Sequence, residues 1–196
     1  MIDAFLSNFK DGVYHVLNLN AYHHILFLVA LTVPYLFKDW KRVFMLITVF
    51  TLGHCVSLGL TTYNVINVNS RLIAFLIPLT ILIVAVYNIF TSGKKAQSDK
   101  VGLLFFAALF FGLIHGLGFV GVFERMVSNT ENKFVALLEM GLGIEVGQIV
   151  IVFIILFISF LCQTIFRFSK RDWVIVISAI VLGFVLHILL LSQVFS

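Results

Sequence analysis

This sequence predicts an all-helical, polytopic membrane bundle of about six or seven transmembrane helices, preceded by a short interfacial N-terminal helix. Three observations carry that expectation. Of the 196 residues, 61% are hydrophobic and 11% charged, against about 45–50% and about 25% in an ordinary soluble domain. Mean hydropathy is +1.12. Apolar runs near the roughly 17–25 residues that cross a hydrocarbon core as helix recur along the whole chain. A water-soluble monomer, a disordered chain and a nucleic-acid-binding domain are thereby excluded. The formal charge of +4 is read as a set of topology marks rather than as a basic binding surface.

The N-terminal stretch of residues 1–18 lacks the basic region, long apolar core and small-residue cleavage site of a signal peptide. Ile2, Phe5, Leu6 and Phe9, with Asp3, Asn8 and Lys10 opposite, form the pattern of an amphipathic helix lying at an interface. Six spans follow, near residues 22–37, 43–63, 72–90, 101–120, 134–157 and 173–194. The first is short and contains Pro34, so it is expected to kink or to cross only part of the bilayer. Connections are brief, no soluble domain is inserted, and residues 1–196 are read as one integral membrane domain. No internal repeat supports an inverted-repeat transporter. Cys55 and Cys162 sit inside apolar runs and make no CxxC pair, so neither reads as part of a disulfide framework.

Orientation follows from the cations. The connections after spans one, three and five carry Lys38, Lys41, Arg42, Lys94, Lys95, Lys100, Arg167, Lys170 and Arg171, whereas the other side carries Lys10, Arg71, Arg125 and Lys133. The positive-inside rule then puts both termini outside, in what is expected to be a bacterial inner membrane.

Ionisable groups inside spans are costly and mark functional sites by default. His15, His23, His24, His54, His115, Glu139, Glu145 and His187 are the candidates. At a rise of about 1.5 Å per residue, His54, His115 and His187 lie about 18–21 Å above the cytoplasmic ends of their spans, and Glu145 lies about 15 Å below the outer end of its own. That shared depth points to one site in the outer half of the bilayer. Gly112 and Gly116 on span four and Gly143 and Gly147 on span five are each spaced GxxxG, a spacing that lets backbones approach closely. Packing of these two spans on each other is expected to bring His115 to Glu145.

Imidazoles with a carboxylate suit a divalent transition metal such as nickel, cobalt or zinc, and not calcium or magnesium, which need an oxygen cage. Thr51, Asn88 and Gln148 are candidates for orienting the ligands, although Asn88 lies toward the cytoplasmic side. Plainer roles exist for several residues: His187 as a packing histidine, Glu139 facing headgroups, His15 at the interface, Cys55 as a small buried hydrophobe, and the glycines as packing alone.

Several stretches carry a family likeness: GVYHVLNLNAYHHILFLVAL, FTLGHCVSL, LIPLTILIVAVYNI, FFGLIHGLGF and GLGIEVGQ, in that order along spans one to five. On them the sequence resembles the HupE/UreJ family of small membrane proteins, which is described as nickel/cobalt permease-like and linked to hydrogenase and urease accessory functions. The resemblance implies that His15, His24, His54, His115 and Glu145 are the family's polar positions, accompanied by Asn88 and Gln148. Two departures stand out. His23 occupies a position where the family usually has Asp, and Met140 and Gly141 stand where it commonly has Asn within FNxGxExGQ.

Three functions are therefore weighed. A nickel or cobalt permease would take ions from outside past His15, His23 and His24 to His54, His115 and Glu145. An intramembrane zinc-type hydrolase, acting on a lipid or a membrane-anchored peptide, would use three histidines as ligands and Glu145 or Glu139 as general base. A haem-binding or structural subunit would use His54 and His115 as axial ligands. The metal ion and the lipid bilayer are the expected partners, with no nucleic acid; the sequence leaves oligomeric state open.

Overall fold

A computed structural model describes residues 2–19, 22–93, 101–127 and 132–191. Lys94, Lys95 and Lys100 of the charge count lie outside the described residues. The described chain is helical throughout: α1 (Ile2–Leu17), α2 (His23–Thr32), α3 (Trp40–Thr62), α4 (Ser70–Thr91), α5 (Val101–Leu117), α6 (Val120–Met126), α7 (Lys133–Thr164) and α8 (Lys170–Leu191). A single 3₁₀ turn, Phe37–Asp39, leads into α3. With no water in a hydrocarbon core to satisfy backbone groups, helices are what a chain of this composition can form there.

Among the described residues four helices are long and apolar enough to cross a membrane: α4, α7, α8, and α3 taken with its preceding turn. A fifth crossing arises if α5 and α6, bent by 59° at their junction, count as one. The expectation of six or seven thus stands at four to five by length. The difference lies at the N-terminal end, where the expected span at 22–37 is a helix of only 10 residues. Its end has a local cause. Val33 keeps helical backbone and donates to the Val29 carbonyl, but Pro34 has no N–H to offer the Ala30 carbonyl, and α2 stops at Thr32. At the other extreme α7 runs to 32 residues, seven residues beyond the expected end at 157. Asparagine caps open α4 and α7: the Asn69 and Asn132 side chains accept from Arg71 N at 2.9 Å and Val135 N at 3.2 Å.

Helices buried among apolar groups gain little from the hydrophobic effect, so close contact has to hold them together. Glycine supplies it in two pairs. A Cβ on Gly112 would overlap the Phe50 carbonyl, one on Gly116 the His54 carbonyl, and one on Gly53 the Leu109 carbonyl, so α3 and α5 lie backbone to backbone, parallel. In the same way Gly143 meets the Phe9 carbonyl, Gly12 the Met140 carbonyl, and Gly147 packs on Val13 and Val16, so α1 and α7 form a second close parallel pair.

This corrects the expected pairing. The GxxxG faces of spans four and five do not pack on each other; each packs on a different partner, α3 and α1. It also changes the picture of residues 1–18. The N-terminal helix lies lengthwise against α7 with Gly12 and Val16 buried, because its small face fits a glycine face that amphipathicity alone does not reveal. Asn8 Nδ2 donates to Glu139 at 2.7 Å along the same seam.

The rings of α2 follow those of α5 in reverse order, Phe27 near Phe111 and His24 near His115. α2 therefore runs in the same direction as α1, one after the other, with the chain breaking between Leu17 and His23. At the far end Asn88 Nδ2 donates to the Ala30 carbonyl at 2.7 Å, fastening α4 to α2.

Candidate functional site

Five imidazoles meet where α1 ends, α2 begins, and α3 and α5 pass. His24 is the hub. Its ring centroid is 4.4 Å from His15, 4.3 Å from His23, 6.1 Å from His54 and 5.8 Å from His115. His15 and His54 are 5.6 Å apart, and His23 and His115 6.2 Å. Helical spacing explains only the pair at 23 and 24. The rest converge because the break after Leu17 turns His15 toward the first turn of α2, and because the glycine seam holds His54 and His115 side by side on α3 and α5.

The polar atoms of this cluster are unusual for a packed interior, where nearly every buried polar group finds a partner. Nε2 of His15, of His24 and of His115, and both ring nitrogens of His54, are buried and unpartnered. His115 Nδ1 lies 2.8 Å from the Phe111 carbonyl. A carbonyl only accepts, so Nδ1 carries the hydrogen and Nε2 presents its lone pair, the orientation that a backbone carbonyl imposes on ligating histidines.

Beneath the cluster the interior is aromatic. Phe27 and Phe50 stack at 4.6 Å, Phe111 stands edge-on to Phe27 at 6.2 Å, and the two stacked rings lie 5.0 and 5.1 Å from His115. Phe119 flanks His15 at 3.7 Å. On the opposite side a cavity of about 320 Å³ opens onto His15, His23, His24 and His115, walled by α1 and by Val122 and Met126 of α6. The arrangement is one-sided, open above and closed below by phenylalanine.

Glu145 is engaged elsewhere. Its carboxylate accepts from Thr48 Oγ1 at 2.6 Å and Thr51 Oγ1 at 2.5 Å, in the seam between α3 and α7. Gln148 Oε1 is 3.3 Å from the same Thr51 hydroxyl, and Cys55 Sγ lies over Gly141. Glu145, Thr51 and Gln148 thus form a polar group of their own, one turn of α3 from His54, and none of them lines the cavity. The reason is again the pairing: α7 meets α3 on a different side from α5, so Glu145 is not delivered to His115. Glu139 is held by Asn8, Asn88 by Ala30, and His187 is exposed on α8 beside Ile180, Gly183 and Phe184. Among the described residues no three His, Cys, Asp or Glu side chains stand arranged as a formed metal site.

One charged cavity residue is absent from the candidates that the sequence supplies. Asp11 lines the same space, four residues before His15. A signal for it exists, because Asp11, Tyr14, His15 and Asn18 fall at i, i+3, i+4 and i+7 and share one helical face.

A family model, HupE / UreJ protein, matches residues 1–193, nearly the whole chain. This chain belongs to the HupE/UreJ family. No curated protein and no solved structure gives a significant match. As a HupE/UreJ protein with apolar helices of this length it is an integral membrane protein. Of the positions singled out from the family likeness, His15, His24, His54 and His115 fall together around His24. Glu145, Asn88 and Gln148 serve helix–helix contacts.

Proposed function

We propose that this protein is a divalent transition-metal permease, for nickel or cobalt, and that the cluster of His15, His23, His24, His54 and His115 receives the ion. One observation carries the reading: four of these imidazoles bury ring nitrogens that have no hydrogen-bond partner. An interior that leaves five such atoms unpaired is costly, and a cation that accepts one lone pair from each of the four rings relieves most of that cost. The spacing agrees. Imidazoles bonded at about 2.0–2.1 Å to a tetrahedral ion have centroids about 5 Å apart, and the rings around His24 are 4.3 to 6.1 Å from it. Thr51 and Gln148 then act at one remove, through α3.

The proposed topology has six crossings. α1 and α2 together make the first, a broken span whose interruption lies at the histidines, as in other membrane proteins where irregular backbone lines a cavity. By the cation count both termini face outward and the cavity opens to the outside of an inner membrane.

The phenylalanine floor favours a second reading, an intramembrane zinc hydrolase open to one face. In that case Asp11, and neither Glu145 nor Glu139, is the carboxylate near enough to serve as base. Metal content per chain after purification without chelator, followed by flux into proteoliposomes, separates the two. Weak, reversible nickel or cobalt binding with flux supports the permease. Tightly held zinc without flux supports the enzyme, and no binding of any of the three metals refutes both.

A further inference from the structure

We infer that Asp11 is the cation-capture residue of this cavity, the group that draws a hydrated divalent ion from solution and passes it to His15, His23 and His24. The inference rests on the metal-binding reading above and names how the ion reaches the site. Asp11 is the one formally charged residue lining the cavity among the described residues. It is half-buried, with no hydrogen bond or ion pair to any described residue. Such a carboxylate is expensive at the margin of a bilayer unless a cation visits it. It stands one helical turn, about 5.4 Å of rise, from His15, whose Nε2 is buried and unpartnered.

Chemistry divides the labour. A carboxylate is a hard donor that hydrogen-bonds to the water shell of an ion before any water is lost, while imidazole suits the ion once dehydrated. The geometry orders these steps: Asp11 and the exposed Tyr14 stand on α1 ahead of the rings, and His54, completely buried, does not line the cavity at all. Low-dielectric walls focus the field of one charge onto the opening, and such focusing raises association rates by about 10- to 1000-fold.

Rapid mixing of the full chain in detergent micelles with Ni²⁺, released from a fluorescent chelator, tests this in wild type, D11N, D11E and H54A. In D11N the association rate is expected to fall about tenfold at low ionic strength and by less in 0.5 M salt, where exposed charges are screened. The number of ions bound and their dissociation rate stay as in wild type. D11E is expected to restore most of the rate. If D11N associates as fast as wild type with the same salt dependence, while H54A no longer binds, the capture role is wrong and the histidine site stands. Loss of stoichiometric binding in D11N also overturns the proposal, because Asp11 is then a ligand of the bound ion. Wild type that binds no Ni²⁺, Co²⁺ or Zn²⁺ overturns the metal reading itself, and the capture role with it.

Discussion

Replacing His54 by leucine is expected to make the metal-free protein more stable and the metal-loaded protein less so. His54 is completely buried, and neither of its ring nitrogens has a partner. An unsatisfied buried polar group costs about 1–3 kcal/mol. Leucine keeps apolar bulk on α3 beside Phe50 and Phe119 and removes that cost. For a chain of this size about 1 kcal/mol moves a melting midpoint by about 2–4 °C, so H54L without metal is expected to melt several degrees above wild type. Metal reverses the order. An ion at a thousand times its dissociation constant stabilises the folded state by about 4.1 kcal/mol, more than the penalty removed, and only wild type collects it. Thermal melts of both proteins in one detergent, with chelator and then with Ni²⁺ or Co²⁺, give four midpoints. Should H54L melt below wild type in chelator, the unpaired nitrogens are not a strain held for a ligand. An equal upward shift of both proteins with metal would place the ion elsewhere.

Alanine at His115 is expected to abolish metal binding while the protein still folds, measured as metal per chain after size exclusion. Glu145→Gln is expected to change metal affinity by less than about threefold, because one of the two threonines still has an oxygen to donate to and the other hydroxyl can accept from the new amide; interhelical polar contacts of this kind are worth about 0.6 kcal/mol on average. Gly112→Ala, whose Cβ would strike the Phe50 backbone, is expected to cost at least about 1–3 kcal/mol. Gly183→Ala, with nothing within 4 Å, is expected to gain about 0.5–1 kcal/mol, and melting midpoints compare the two.

The helices are legible because membrane spans announce themselves by composition, and α3, α4, α5 and α8 begin within three residues of where hydropathy puts them. The histidines are legible as candidates because an imidazole inside an apolar segment is costly, and the structure brings five of them together. Their partners are not legible. A GxxxG spacing states that a face is flat without stating which other flat face it meets, so Gly112 and Gly143 read as partners although one belongs with α3 and the other with α1. The same ambiguity leads the sequence to set Glu145 beside the histidines, whereas in the structure it accepts from Thr48 and Thr51. Asp11 escapes notice because the pattern of α1 is that of a surface helix, on which a carboxylate is ordinary; once α1 lies against α7, the same residue borders a cavity.

That pairing also says what a bound ion would do mechanically. α1 lies against α7 and α3 against α5 through close glycine contacts, and Glu145 with Thr48 and Thr51 ties α7 to α3. His15 belongs to the first pair, His54 and His115 to the second, and His23 and His24 to α2, which follows the break. The cluster therefore lies where three groups of helices meet and not within one of them. An ion ligated across it would add a further tie between them, and its release toward the Phe27–Phe50 side would require those stacked rings to separate. Substituting Phe50 by alanine removes one half of that floor without touching a histidine. In proteoliposomes a permease is expected to respond with faster metal flux at unchanged binding affinity, whereas a hydrolase open to one face gains no flux from it.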